Sequence, residues 1–138
     1  MSYLLDTNVI SELRKGDRAD RNVTSWFAEI ADEEIFLSTL TLGEIRRGIE
    51  SIRRRDAKTA GALESWLGRV ADQHTDRIVS IDRAIADEWG RMNVPDPLPV
   101  VDGLLAATAK VVGLTLATRN TADIERTDIS YVNPFLPR

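Results

Sequence analysis

Four acidic residues stand where short apolar runs give way to polar sequence. Asp6 follows Tyr3-Leu4-Leu5, and Glu44 lies in the first turn of the helix expected after Glu34–Ser38. Asp102 opens an Ala/Leu-rich helix, and Asp123 comes just past Leu114–Ala117. Each has a plain structural use. Asp6 and Asp102 suit helix N-caps, Glu44 suits the positive end of a helix dipole, and Asp123 suits a turn. Gathered in one place the four would be costly. Two carboxylates about 5 Å apart repel by roughly 3 kcal/mol at an effective dielectric of 20. A cluster of this kind stays protonated in part unless a cation sits among the acids. The chain has no cysteine and a single histidine, His74. With oxygen donors alone, the fitting ions are Mg2+ or Mn2+. The chemistry that follows is phosphoester hydrolysis, in which a metal clamps the phosphate and acidifies a water.

Such a cluster needs elements that bring distant acids to one edge. The pattern alternates strand and helix. Strands are expected at Tyr3–Leu5, Glu34–Ser38, Arg77–Ile81, Leu114–Ala117 and Ile129–Val132. Helices are expected around Val9–Leu13, around Trp26, Phe27 and Ile30, and along Leu42, Ile45, Ile49 and Ile52. The helical spacing continues beyond Asp56 at Leu63, Trp66, Leu67 and Val70, and a further helix is marked by Ile85, Trp89 and Met92. A stiff loop, Pro95-Asp96-Pro97-Leu98-Pro99, leads through Val100-Val101-Asp102 into a helix over Gly103–Val112 that Gly113 closes. Parallel strands need helical crossovers, and strands apolar on both sides need cover on both faces. The reading is one domain over residues 1–138, an α/β/α sandwich with a central parallel five-stranded sheet. In such sheets ligands gather beyond the carboxyl ends of the strands, where the four acids would lie.

The chain carries 18 basic and 22 acidic residues, so a bulk basic surface for nucleic acid is absent. Without the four acids the two signs balance at 18 each. Arginine supplies 15 of the bases, a side chain whose planar fork suits phosphate and carboxylate. No apolar run of 18 residues and no basic-then-apolar leader is present, which predicts no membrane span and a cytoplasmic location.

At these same residues the sequence resembles the PIN-domain family. The segments are LLDTNVISEL, LTLGEIRRGI, VVDGLLAATAKVVGLTLATRNTADI and the closing YVNPF. The similarity runs from Tyr3 to Phe135, in family order, and is nearest to the VapC-type toxins of bacterial toxin–antitoxin pairs, including the FitB-like branch. The resemblance implies a magnesium- or manganese-dependent endoribonuclease, held inactive by a VapB-like antitoxin. It also implies a homodimer that reaches operator DNA only through that antitoxin. Asp6 and Asp102 match the family's metal-binding pair, Glu44 the second acidic motif and Asp123 the fourth acid. Thr7 and Asn8 fall where small polar residues support the first aspartate. Thr118, Arg119 and Asn120 match the turn beside the site.

Among the arginines, Arg119, Arg46 and Arg47 are candidates for RNA phosphates, against the alternative that Arg46 and Arg47 belong to a solvated helix face. His74 has no visible partner and is read as inert. Two other classes compete. A receiver-type phosphoacceptor would use Asp82 and Thr118, but it would want an acid beside Asp6 and a lysine where Asn133-Pro134 stands. Asp82 is read instead as an N-cap and Asp96 as a loop residue. A non-catalytic metal- or partner-binding module would keep the same acids.

Overall fold

The computed structural model describes residues 1–137. The chain runs β1 (Tyr3–Leu5), α1 (Thr7–Leu13), α2 (Arg21–Ala28), β2 (Ile35–Ser38), α3 (Thr39–Arg53) and α4 (Ala57–Gln73). It continues through β3 (Ile78–Val79), α5 (Arg83–Met92), α6 (Val100–Val112), β4 (Thr115–Ala117) and β5 (Tyr131–Val132). The strands form one sheet in the order β3-β2-β1-β4-β5, with every neighbouring pair parallel. This is the expected α/β sandwich with a five-stranded parallel sheet.

Successive strand residues point to opposite faces, and both faces are covered. Leu5, Ile35, Leu37 and Ala117 pack with Val9, Val23, Trp26, Ile45, Ile49 and Leu67 on the α1–α4 side. Leu4, Leu114 and Leu116 pack with Leu105, Ala106 and Ala109 of α6 on the other. On the α1–α4 side Trp26 is buried, its ring edge-on to Tyr3 at 5.1 Å, and Phe27, Ile30 and Leu63 pack against the same cluster.

Several boundaries differ from the sequence reading, each for a local reason. α2 stops at Ala28, so Ile30 packs from a turn rather than from a helix. β3 and β5 are shorter than expected and lie at the two sheet edges, where each pairs on one side only. α3 starts at Thr39 because the Ser38 hydroxyl accepts from the Leu40 N–H at 3.1 Å, which places Glu44 in the second turn rather than the first. The run from Leu42 to Val70 is two helices, since the Asp56 carboxylate caps α4 by accepting from the Thr59 N–H and hydroxyl. α6 starts at Val100, with Pro99 as its N-cap, so Asp102 sits inside the first turn and caps nothing.

The entry into α6 is fixed from two sides. Asn93 donates to the Trp89 carbonyl at 2.6 Å and accepts from the Leu98 N–H at 2.8 Å, while Arg126 donates to the carbonyls of Asp96 and Pro97. Beside Asp102, Gly103 lets the Trp89 ring lie against the helix. A Cβ there would stand 3.2 Å from two atoms of that ring and 3.3 Å from Leu98. Crowding of this kind costs about 1–3 kcal/mol. Gly103→Ala should therefore lower the unfolding free energy measured in urea by an amount in that range, although alanine is the better helix former. An unchanged or higher value would show that the α5–α6 contact is loose.

Candidate active site

The register of the central strands brings the site together. Leu5 of β1 stands opposite Ala117 of β4, so the next residues, Asp6 and Thr118, are neighbours where the two strands end. The Asp6 N–H donates to the Ala117 carbonyl at 2.9 Å, carrying the ladder one step past the strand. From β1 the sheet grows one way through β2 and β3 and the other way through β4 and β5, so this is its topological switch point.

Asp6 is only 5% exposed and caps α1. Its Oδ1 accepts from the Thr7 N–H at 2.7 Å, and its Oδ2 from the Thr118 hydroxyl at 2.7 Å and from Asn8 Nδ2 at 3.3 Å. These bonds favour the charged form. Burial opposes them more strongly, and with the nearby Glu44 carboxylate it pushes the Asp6 carboxyl above the usual carboxylate range. Glu44 reaches the same place from α3, where its Oε1 accepts from the Thr7 hydroxyl at 2.6 Å. Asn8 ties in the opposite strand end, its Oδ1 accepting from the Arg119 N–H at 3.2 Å. The Asn120 N–H donates to the Thr118 hydroxyl at 3.0 Å and orients it towards Asp6.

Asp102 is half-buried in the first turn of α6. Desolvation raises its carboxyl first, followed by the charges of Asp6, Asp123 and Glu44 in that order. The four acids of the sequence reading thus share one electrostatic field, from four separate stretches of chain. They do not form a closed cage. Among the described residues, no three acidic, histidine or cysteine side chains are already gathered as a ready-made metal-binding group. A mutually repelling set of hard oxygen donors still suits a hard divalent cation. Magnesium takes one or two carboxylates directly and keeps much of its water, so it needs no all-protein cage.

Three depressions border the acids. One, of about 420 Å³, is lined by Asp102, Asp123, Arg119, Asn120 and Thr121. A second, of about 300 Å³, holds Glu44 and Arg47 beside Val101. A third, of about 240 Å³, runs from Thr7, Ser11 and Glu44 to Arg14 and Trp66. Arg14 was not singled out from the sequence. The signal was present, because Thr7, Ser11 and Arg14 recur at helical spacing along one face of α1. Arg46, by contrast, is engaged on the α3–α4 surface with Glu50 at 3.0 Å and Glu64 at 3.3 Å.

Residues set aside in the sequence reading are structural. Asp82 caps α5 by accepting from the Ile85 N–H at 2.9 Å. It follows β3, an edge strand separated from β1 by β2, so the sheet does not bring it beside Asp6. A receiver-like sheet places its third strand next to the first. His74 is buried, with Nδ1 2.8 Å from the Val70 carbonyl. Asp96 lies in the proline loop, and a cavity of about 510 Å³ beside it contains none of the four acids.

Residues 3–129 match the family model of the PIN domain. This chain belongs to the PIN-domain family. Within it, the chain falls with the VapC- and FitB-type toxins. It is 33% identical over 141 residues to the VapC ribonuclease Y4jK of Sinorhizobium fredii, covering 97% of this chain and 98% of that one. It is 31% identical to the toxin FitB of Neisseria gonorrhoeae, covering 96% and 97% of the two chains. A solved structure of FitAB bound to an IR36 DNA fragment superposes with a TM-score of 0.88 at 27% identity, over 99% of this chain and 97% of that one.

The acid field of this PIN domain gives its metal-free form a definite pH dependence. A carboxyl whose folded pKa lies above its unfolded value holds its proton more readily when folded. Stability then falls as pH rises from 3.8 through the raised value, and is recovered below that window. In chelator at neutral pH, Asp102→Asn should therefore melt higher than the wild type, by on the order of 2 °C for a half-exposed, screened group. The difference should close below the ordinary carboxylate range. A variant that melts lower than the wild type at neutral pH would contradict the repulsion described here.

Proposed function

We propose that this PIN domain is a divalent-metal-dependent endoribonuclease, the toxin of a toxin–antitoxin pair, that hydrolyses RNA phosphodiester bonds at the Asp6, Glu44, Asp102 and Asp123 site. The observation that carries the reading is the buried Asp6 carboxylate at the sheet's switch point beside Glu44, with Asp102 feeling the charges of Asp6, Asp123 and Glu44. The name of the Sinorhizobium relative, a ribonuclease, supports the same activity.

In this reading Asp6 and Asp102 hold Mg2+ or Mn2+, and Glu44 and Asp123 complete its surroundings or take a second ion. When bound, the ion neutralises the acids, draws charge from the scissile phosphate and acidifies a water. The chain's own groups do the positioning. Thr7, Asn8, Thr118 and Asn120 fix Asp6 before substrate arrives, so no reorganisation is needed at the moment of reaction. Thr7 also holds Oε1 of Glu44, which leaves Oε2 to accept a proton from the attacking water. Attack by water needs no ribose 2′-hydroxyl, so preference for RNA rests on the shape of the strand and its bases.

Arg119 and Arg47, in depressions that also hold these acids, are the proposed ligands of flanking phosphates. The Arg46 guanidinium is already engaged and serves the α3–α4 hairpin. An acidic site of this kind is a natural target for an arginine offered by a VapB-like antitoxin, which would silence it by competing for the carboxylates. Homodimer formation and operator DNA binding through the antitoxin complete the proposal. A solved neighbour described as FitAB bound to DNA is consistent with the last point.

Antitoxin-free protein incubated with total bacterial RNA should give discrete fragments in magnesium or manganese and none in chelator. Asp6→Asn and Asp102→Asn should each lower the rate by about 10²–10⁴ with the fold intact by circular dichroism, as expected when a group acting at the reacting centre is lost. Metal-independent fragments, or full activity in either variant, would refute the assignment. Folded protein that binds the ion yet cuts nothing would favour the non-catalytic module. Arg47→Ala should raise the KM for RNA, while Arg46→Ala should leave it within twofold of wild type.

A further inference from the structure

Among the arginines that carry contacts, two rest on aromatic rings: Arg14, whose central carbon is 6.0 Å from the Trp66 ring centroid, and Arg119, which lies closer to its ring. Arg46, Arg53 and Arg91 spend their donors on acids, Arg77 on an acid and carbonyls, and Arg126 on carbonyls. The Arg119 guanidinium makes no ion pair or side-chain hydrogen bond within contact distance among the described residues; its charge is felt by Glu12 of α1, whose carboxyl is lowered chiefly by Lys15 and to a lesser degree by Arg119. The guanidinium lies over the ring of Phe135, with its central carbon 4.2 Å from the ring centroid. A guanidinium resting on an aromatic face uses its flat side for the contact. The N–H donors around its edge remain free for an oxyanion.

The ring is itself held. Phe135 is 8% exposed, its N–H donates to Asn133 Oδ1 at 3.0 Å, and its carbonyl accepts from Asn22 Nδ2 of α2 at 2.9 Å. At the other end, the Arg119 backbone is tied through Asn8 to Asp6. The arginine is therefore anchored to the acid site by its main chain and to the carboxy-terminal turn by its side chain. It also lines the depression that contains Asp102 and Asp123.

We propose that Phe135 is a positioning residue for RNA binding: its ring holds the Arg119 guanidinium over the Asp102–Asp123 depression, edge outward, to meet a phosphate of the substrate strand. The inference rests on the reading of Arg119 as a phosphate ligand. A long side chain fixed in advance loses less freedom on binding, so the ring adds affinity without touching RNA.

The test uses full-length protein and a short fluorescent single-stranded RNA of mixed sequence, in chelator, with anisotropy followed across a salt series. Arg119→Ala should weaken binding and flatten the salt slope by about 0.7, the value for one phosphate contact to a single strand. Phe135→Leu should weaken binding about three- to tenfold, the equilibrium expected from loss of one cation–π contact. Phe135→Trp should bind as the wild type does, and Phe135→Leu should add nothing once Arg119 is alanine. Thermal melts confirm that each variant is folded at the assay temperature. Wild-type affinity in Phe135→Leu, or an equal loss with and without Arg119, would overturn the positioning role. Wild-type affinity and slope in Arg119→Ala would overturn its premise. Cleavage by the wild type is scored separately, so failure of the nuclease reading is visible on its own.

Discussion

The structure depends on one carboxylate buried where two parallel strands end. Taking a charged group out of water costs several kcal/mol unless it is compensated, and Asp6 is compensated only in part. The register of β1 against β4 makes Thr118 its neighbour, α1 supplies a backbone N–H, and Asn8 supplies an amide. These donors fix the carboxylate's orientation without cancelling the cost, since burial still dominates its protonation. A site built for stability alone would place an asparagine or serine there. The remaining cost makes the position a receptor for positive charge.

Much of the fold can be understood as support for this point. The Ser38 cap starts α3 early enough that Glu44, one turn in, reaches the Thr7 hydroxyl. The proline loop is held by Asn93 and Arg126, and Gly103 allows Trp89 to press against α6 where Asp102 emerges. None of these supporting residues needs to meet the substrate. They set where the acids stand relative to one another, within a field whose mutual repulsion would otherwise drive the acids apart or protonate them.

The sequence revealed the acids because each sits at a change of periodicity, which is where a parallel sheet presents its loops. It revealed the layer order because β1, β2 and β4 are apolar on both faces. It was less informative where a residue's meaning depends on partners far away in the chain. Pro99 begins a helix that the loop-like run Pro95–Pro99 disguises, so Asp102 read as a cap rather than a first-turn acid. Arg46 and Arg47 are adjacent in sequence, and only the packing of α4 on α3 shows that Arg46 is engaged by Glu64 while Arg47 borders Glu44. Phe135 read as part of a closing motif, with nothing to indicate the guanidinium above it. Local patterns encode the elements, whereas the bond that Thr118 donates to Asp6 across more than a hundred residues is set by the register of the folded sheet; from sequence, only family resemblance put Thr118 near the site.

The same distribution of partners explains how an acidic chain can present a surface to a polyanion. Net charge governs solubility and long-range approach, while affinity for a strand depends on which cations remain unpaired near the chemistry. Here many arginine donors are spent on the scaffold, binding helix to helix and loop to loop. Arg119, Arg47 and Arg14 line depressions that also hold these acids, with no ion pair among the described residues. A strand crossing these depressions would meet positive charge beside the negative centre. In the proposed nuclease the flanking arginines would hold neighbouring phosphates even without the ion, while seating of the scissile phosphate at the acid centre would wait on a divalent cation.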